Sequence, residues 1–123
     1  MTMKRVLLVD DDEFNRDMVI QLLANSIDIE CEFIEAENGL EAVDLAAEIK
    51  PDLVLMDLSL PGISGWEATR RIRQMAQDLP IIAITAHVLK GDKDRAMEAG
   101  CVDYITKPVD HDELVRKFLA YIN

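Results

Sequence analysis

Positive charge is in short supply in this chain: 13 Lys and Arg face 24 Asp and Glu, a net charge of −11. Affinity for duplex nucleic acid comes largely from neutralising phosphates with Lys and Arg, so DNA is excluded as a direct partner. Cysteine is scarce too. Cys31 and Cys101 have no metal-site spacing and, with thiols kept reduced in a cytosolic compartment, read as ordinary small, partly buried residues and not as a disulfide. Aromatics make up 5%, and the single tryptophan, Trp66, is too little for a cofactor box, so it reads as helix packing or a partner contact. No apolar run approaches the ~20 residues that span a bilayer. Met1-Thr2-Met3-Lys4-Arg5 leads into a short strand-sized run, unlike a signal peptide. A cytoplasmic protein without membrane insertion is expected. Low-complexity tracts, repeats and long linkers are missing as well, so residues 1–123 are expected to form one domain, and 50% hydrophobic content suffices for a core.

Four short apolar runs are present, each ending in a residue suited to phosphate chemistry. Val6-Leu7-Leu8-Val9 leads into Asp10-Asp11, and Leu53-Val54-Leu55-Met56 into Asp57. Ile81-Ile82-Ala83-Ile84 leads into Thr85, and Val102 to Thr106 into Lys107-Pro108. Buried parallel strands read as continuous apolar stretches, and in open α/β sheets ligands bind beyond their carboxyl ends. As neighbouring strands, the four runs would bring all these groups to one crevice.

Between the runs lie helical signals. Phe14, Met18 and Leu22, with Val19 and Leu23, recur at helical spacing, predicting an amphipathic helix over about Glu13 to Ser26. Glu32 to Ala36 alternates as an edge strand does. Asn38 with Glu41 forms a capping pair for a second helix, with Val43, Ala46 and Ala47 as its buried stripe and Pro51 as its stop. Ser64 with Glu67 repeats the pattern for a helix to about Met75, after a loop holding Pro61, Gly62 and Gly65. A shorter polar helix is predicted over about Lys90 to Ala99, closed by Gly100. Asp110 with Glu113 opens the last helix, whose apolar positions are Leu114, Val115, Phe118, Leu119 and Ile122. Alternating strands and helices imply a parallel sheet covered on both faces, an α/β three-layer sandwich.

Asp10, Asp11 and Asp57 brought together would resist joint ionisation unless a cation intervened. Hard carboxylate oxygens at a solvent-facing sheet edge suit Mg2+, which keeps waters and accepts a phosphate oxygen. Three carboxylates against one divalent ion and the Lys107 ammonium leave the site neutral and able to receive an anionic phosphoryl group. Carboxylates form aspartyl phosphates, and the transferred group needs positioning and charge stabilisation, which Lys107 and the Thr85 hydroxyl can supply.

These residues, in this order and at these intervals over essentially the whole chain, resemble the receiver domains of two-component and phosphorelay response regulators. The resemblance implies a flavodoxin-like fold of five helices around five parallel strands ordered 2-1-3-4-5. It implies Asp57 as phosphoryl acceptor, Asp11 as direct Mg2+ ligand, Asp10 acting chiefly through metal-bound water, and the Ser59 backbone carbonyl completing the protein's share. Thr85 and Lys107 would contact the phosphoryl group, and Tyr104 would be the switch aromatic that follows Thr85. A cis Lys107-Pro108 bond is usual in the family. The implied function is a phosphorylation-dependent signalling switch and not an enzyme in the ordinary sense: it would accept a phosphoryl group from a histidine kinase or histidine phosphotransfer protein, with at most self-phosphorylation and autodephosphorylation. With the chain ending at Asn123, output is expected through a downstream protein effector. Phe14, Asn15 and Met18 are candidate donor contacts.

Ser64 stands where the family often has an acid, which reads as capping chemistry. Ser59 and His87 hold positions that tend to tune phosphoryl loss, and Phe14-Asn15-Arg16 with Lys90-Gly91-Asp92 look like hybrid-kinase or stand-alone phosphorelay receivers. Asp12 and Glu13 read as complements to a helix N-terminus and not as metal ligands. His87 reads as an exposed loop residue. A flavin-binding alternative is disfavoured because Asp10-Asp11-Asp12 would repel the cofactor phosphate. An aspartyl-phosphate phosphatase is disfavoured because Ser59 stands where such enzymes place a second acid.

Overall fold

The computed structural model describes residues 3–86 and 92–122, and His87, Lys90 and Gly91 lie outside them. Ten elements alternate along the chain: β1 (Lys4–Val9), α1 (Glu13–Ser26), β2 (Cys31–Ala36), α2 (Gly39–Ile49), β3 (Leu53–Asp57), α3 (Gly65–Met75), β4 (Ile81–Thr85), α4 (Asp92–Ala99), β5 (Asp103–Thr106) and α5 (His111–Ile122). The strands form one parallel sheet in the order β2-β1-β3-β4-β5.

The central strands β3 and β4 are buried throughout, the consequence of helices on both faces, and this is why they carry unbroken apolar runs. Side chains alternate between the faces with period two. Val6, Leu8, Leu53, Leu55, Ile82, Ile84 and Ile105 face α1 and α5, meeting Val19, Leu23, Leu114, Phe118 and Ile122. Leu7, Val9, Val54, Met56, Ile81 and Ala83 face the other layer, where Ala42 and Ala46 of α2, Ala68 and Ile72 of α3 and Ala96 of α4 pack.

Caps set the helix boundaries. Asp12 accepts from the Phe14 N–H at 2.9 Å, Asn38 from Glu41 at 2.9 Å, Ser64 from Glu67 at 3.2 Å and Asp110 from Glu113 at 2.9 Å. The reciprocal half of the capping box is displaced: the Glu41 carboxylate takes the Glu37 N–H at 3.1 Å, and Glu67 turns to Arg71 and Arg70. Helix α4 closes in a Schellman arrangement, Cys101 N–H to Ala96 O and Gly100 N–H to Met97 O, with Gly100 at φ +120°.

On three helices the buried face differs from the sequence pattern. On α1 the buried positions are Arg16, Val19 and Leu23, while Phe14 is 75% exposed and Met18 is exposed. On α2, Ala42 is buried and Ala47 exposed, and on α5 Leu119 is exposed. A helix offers several stripes at similar spacing, and tertiary packing selects among them. Both cysteines are free thiols, Cys101 buried and Cys31 partly so.

Candidate functional site

The sheet register assembles the site. Val9 pairs with Met56, so the next residues, Asp10 and Asp57, lie side by side at the carboxyl edge. Asp57 pairs with Ile84 and Thr85 with Thr106, and the Lys107 N–H donates to the Thr85 carbonyl at 2.8 Å. Residues from four strands thereby meet at one edge.

Asp10, Asp11 and Asp57 each offer a carboxylate oxygen, all within 4.8 Å of one another. Asp10 and Asp57 are buried and Asp11 is exposed. Lys107 bridges the buried pair, its Nζ donating to Asp10 Oδ2 at 3.0 Å and Asp57 Oδ2 at 3.3 Å. The other oxygens are held by backbone: Ser59 N–H donates to Asp57 Oδ1 and Asp12 N–H to Asp10 Oδ1, both at 2.9 Å. The Lys107-Pro108 bond is cis.

Burial pushes the Asp57 carboxyl above its ordinary range, and Asp10 adds to this against the Ser59 N–H and Lys107. Lys107 also rises: burial disfavours its charge, but Asp10 and Asp57 outweigh burial. Asp57 thus rises chiefly because it is buried, whereas Lys107 rises because its one ammonium serves two carboxylates. Such a cluster fits a small divalent cation, since the donors are hard oxygens, one carboxylate is open to solvent, and negative charge is in excess.

The profile of the response regulator receiver domain family matches residues 6–119. The chain belongs to that family. The polar-differentiation response regulator DivK of Brucella anthropi is 39% identical over 121 residues, covering 97% of this chain and 96% of that protein. Among solved structures, the response regulator domain of Thermotoga maritima CheB has a TM-score of 0.86 at 32% identity, covering 99% of this chain and 98% of that one. The receiver domain of a Pseudomonas aeruginosa sensor histidine kinase, solved with a magnesium ion in its active-site cleft, has a TM-score of 0.86 at 33% identity and covers 98% of both chains. Receivers are phosphoacceptors and phosphorylation-dependent switches that work with histidine kinases and downstream effectors.

Around the receiver's acidic cluster, Thr85 is fully buried and Tyr104 partly so, packed against the α2–α4 side of the core. Lys117 of α5 donates to the Tyr104 carbonyl at 2.6 Å and pairs with Asp103 at 3.1 Å. Asp12 caps α1 and Glu13 lies in its first turn, as their sequence positions suggest. Trp66 packs against the core under the Arg95 guanidinium, 4.2 Å from the ring centroid. A cavity of about 200 Å³ beside the cluster is lined by Asp10, Asn15, Met18, Lys107, Pro108 and Val109. No described helix is long and apolar enough to cross a membrane.

Arg16 escaped the sequence reading as a site residue. Its buried guanidinium donates Nη1 to the Asp10 carbonyl at 2.6 Å and Nε to Glu35 at 2.9 Å. The only available signal was a pair of acids, Glu35 and Glu37, at the end of a neighbouring strand, and that pairing follows from topology.

Proposed function

We propose that residues 1–123 act as one receiver unit in which Asp57 accepts a phosphoryl group from a phosphohistidine donor. The observation that carries the reading is the Lys107 ammonium held between Asp10 and Asp57 with the Asp11 carboxylate close by. Asp10, Asp11 and Asp57, with the Ser59 carbonyl, would hold Mg2+, which supplies positive charge against the phosphoryl oxygens. An Asp57 carboxylate oxygen attacks phosphorus, the P–N bond of the donor breaks, and the leaving imidazole nitrogen keeps the electron pair and takes a proton. Lys107 offsets charge on the arriving oxygens, and the Thr85 hydroxyl donates to one of them. Thr85 and Tyr104 then carry the change to the α4 side, where affinity for a downstream protein effector differs between two states.

The donor, a histidine kinase or histidine phosphotransfer protein, docks over Phe14, Asn15 and Met18. Phe14 is 75% exposed there, and Asn15 and Met18 line the cavity that adjoins Lys107. Self-phosphorylation from small donors and hydrolysis of the aspartyl phosphate are the extent of the chain's own chemistry. The reading carries with it a cytoplasmic location, where kinases have ATP. Incubation with Mg2+ and labelled acetyl phosphate tests the acceptor: wild type takes up label and Asp57→Asn does not. Label retained by Asp57→Asn overturns it.

A further inference from the structure

Arg16 is a buried cation, 6% exposed, within the first turns of α1. Burying a guanidinium is costly unless its donors are used, and here two nitrogens are: Nε donates to Glu35 at 2.9 Å and Nη1 to the Asp10 carbonyl, while Nη2 lies 3.8 Å from Glu37 as an ion pair without a hydrogen bond. The carbonyl contact, 2.6 Å, is short in the manner of charge-assisted bonds.

The Asp10 carbonyl belongs to the peptide that joins Asp10 to Asp11, so Arg16 fixes the plane from which Asp11 projects. The far side of the segment is fixed as well. Arg16 N–H donates to the Asp12 carbonyl at 3.1 Å, and Asp12 N–H returns to Asp10 Oδ1 at 2.9 Å. The Asp11 carboxylate itself has no hydrogen bond or ion pair among the described residues. Its place in the cluster is therefore set by backbone, which the Arg16 side chain holds at the Asp10 carbonyl and the first helical hydrogen bond of α1 holds at Asp12.

We propose that Arg16 is a positioning residue for divalent-cation binding, holding the Asp10-Asp11 peptide so that the open Asp11 carboxylate faces Asp10 and Asp57. The inference rests on the magnesium reading above. It differs from a purely structural ion pair between α1 and β2, which would leave cation affinity untouched.

The test is isothermal titration of the full chain with Mg2+, with thermal stability in EDTA and the Mg2+ dependence of acetyl phosphate labelling measured alongside. For Arg16→Met the dissociation constant for Mg2+ rises about tenfold, the low end for loss of a group orienting a metal ligand. The labelling rate at saturating Mg2+ stays within about twofold of wild type, because metal in excess re-forms the site. Arg16→Lys, which keeps a cation for Glu35 but lacks the fork, weakens binding in the same direction and decides the matter if Arg16→Met does not fold. Glu35→Gln removes the ion pair, leaves the carbonyl contact, and weakens binding by less than about threefold. Unchanged Mg2+ affinity in both Arg16 variants overturns the proposal alone, as does Glu35→Gln matching Arg16→Met. A wild-type chain that binds no Mg2+ overturns the magnesium reading and this inference together.

Discussion

Replacing Gly65 by alanine sets two physical effects of opposite sign against each other. Gly65 opens α3, and alanine in a helix interior is favoured over glycine by about 1 kcal/mol. On propensity alone Gly65→Ala stabilises the fold. The structure argues the reverse, because a Cβ on Gly65 would fall against the Asp57 carbonyl oxygen, 2.5 Å from Leu58 Cα and 3.0 Å from Asp57 carbonyl carbon. These are backbone atoms that cannot rotate away, and ordinary carbon contacts lie at about 3.5–4.0 Å, so the β3–α3 connection must retreat by about 1 Å. Overpacking of this kind costs about 1–3 kcal/mol. With the helix gain of about 1 kcal/mol offsetting part, a net loss of about 0–2 kcal/mol and a fall in melting temperature of up to roughly 8 °C are expected. The retreating atoms carry the Asp57 carboxylate and the Ser59 N–H that holds it at 2.9 Å. A displacement of about 1 Å at a reacting group costs on the order of 100-fold in rate. Urea denaturation and initial rates of labelling from acetyl phosphate measure the two losses. Gly62→Ala is the control: at φ +77° with open space around its Cβ position, it pays about 1–2 kcal/mol of left-handed backbone strain without pressing on Asp57, so its labelling rate is retained. A Gly65→Ala chain as stable as wild type and labelled at the same rate would refute the close-approach argument.

Asp57→Asn is expected to raise the melting temperature in EDTA by a few degrees at neutral pH. Burial, with Asp10, lifts the Asp57 carboxyl above its unfolded value, so this group favours folding most when protonated and that contribution is lost as pH rises through the folded pKa. The gap between variant and wild type should therefore widen from acid to neutral pH and shrink when Mg2+ is added, and a gap that ignores both contradicts the electrostatic account. For donor docking, combined Phe14→Ala, Asn15→Ala and Met18→Ala changes should slow transfer from a phosphohistidine donor at least tenfold on the order of one lost hot spot, with acetyl phosphate labelling unchanged, and equal transfer rates remove that surface.

Much of this site was legible because the sheet is covered on both faces. That burial forces continuous apolar runs in β1, β3 and β4, and where each run stops the chain has reached the ligand edge, so Asp10, Asp57 and Thr85 are marked by position as well as by chemistry. Lys107 is marked the same way after β5. Helix faces were less legible. Phe14 and Met18 share a helical spacing with Val19 and Leu23 on α1, yet they are exposed while Arg16, Val19 and Leu23 are buried and Leu22 is partly so, and the buried Arg16 pairs with Glu35 and Glu37 at the end of β2. An arginine reads as solvent-exposed until the neighbouring strand supplies its carboxylates. The exposed stripe, in turn, is free for the docking role suggested for Phe14 and Met18. His87 and the start assigned to the fourth helix at Lys90 fall outside the described residues.

The period of the strands also divides the site between the two layers. Asp10 continues the Val6-Leu8 row and Asp57 the Leu53-Leu55 row, both rows facing α1 and α5. Thr85 continues the Ile81-Ala83 row, and Tyr104, paired with Ala83, lies on that same α2–α4 side. On the proposed function, a phosphoryl group arriving at Asp57 from the α1 side can recruit the Thr85 hydroxyl only around the carboxyl end of the sheet. Drawing Thr85 that way shifts a residue of the opposite layer, next to Tyr104 and ahead of α4. Donor contact and altered output surface then belong to different faces of one sheet, which lets phosphorylation received on one side be read on the other without the two partners competing for the same residues.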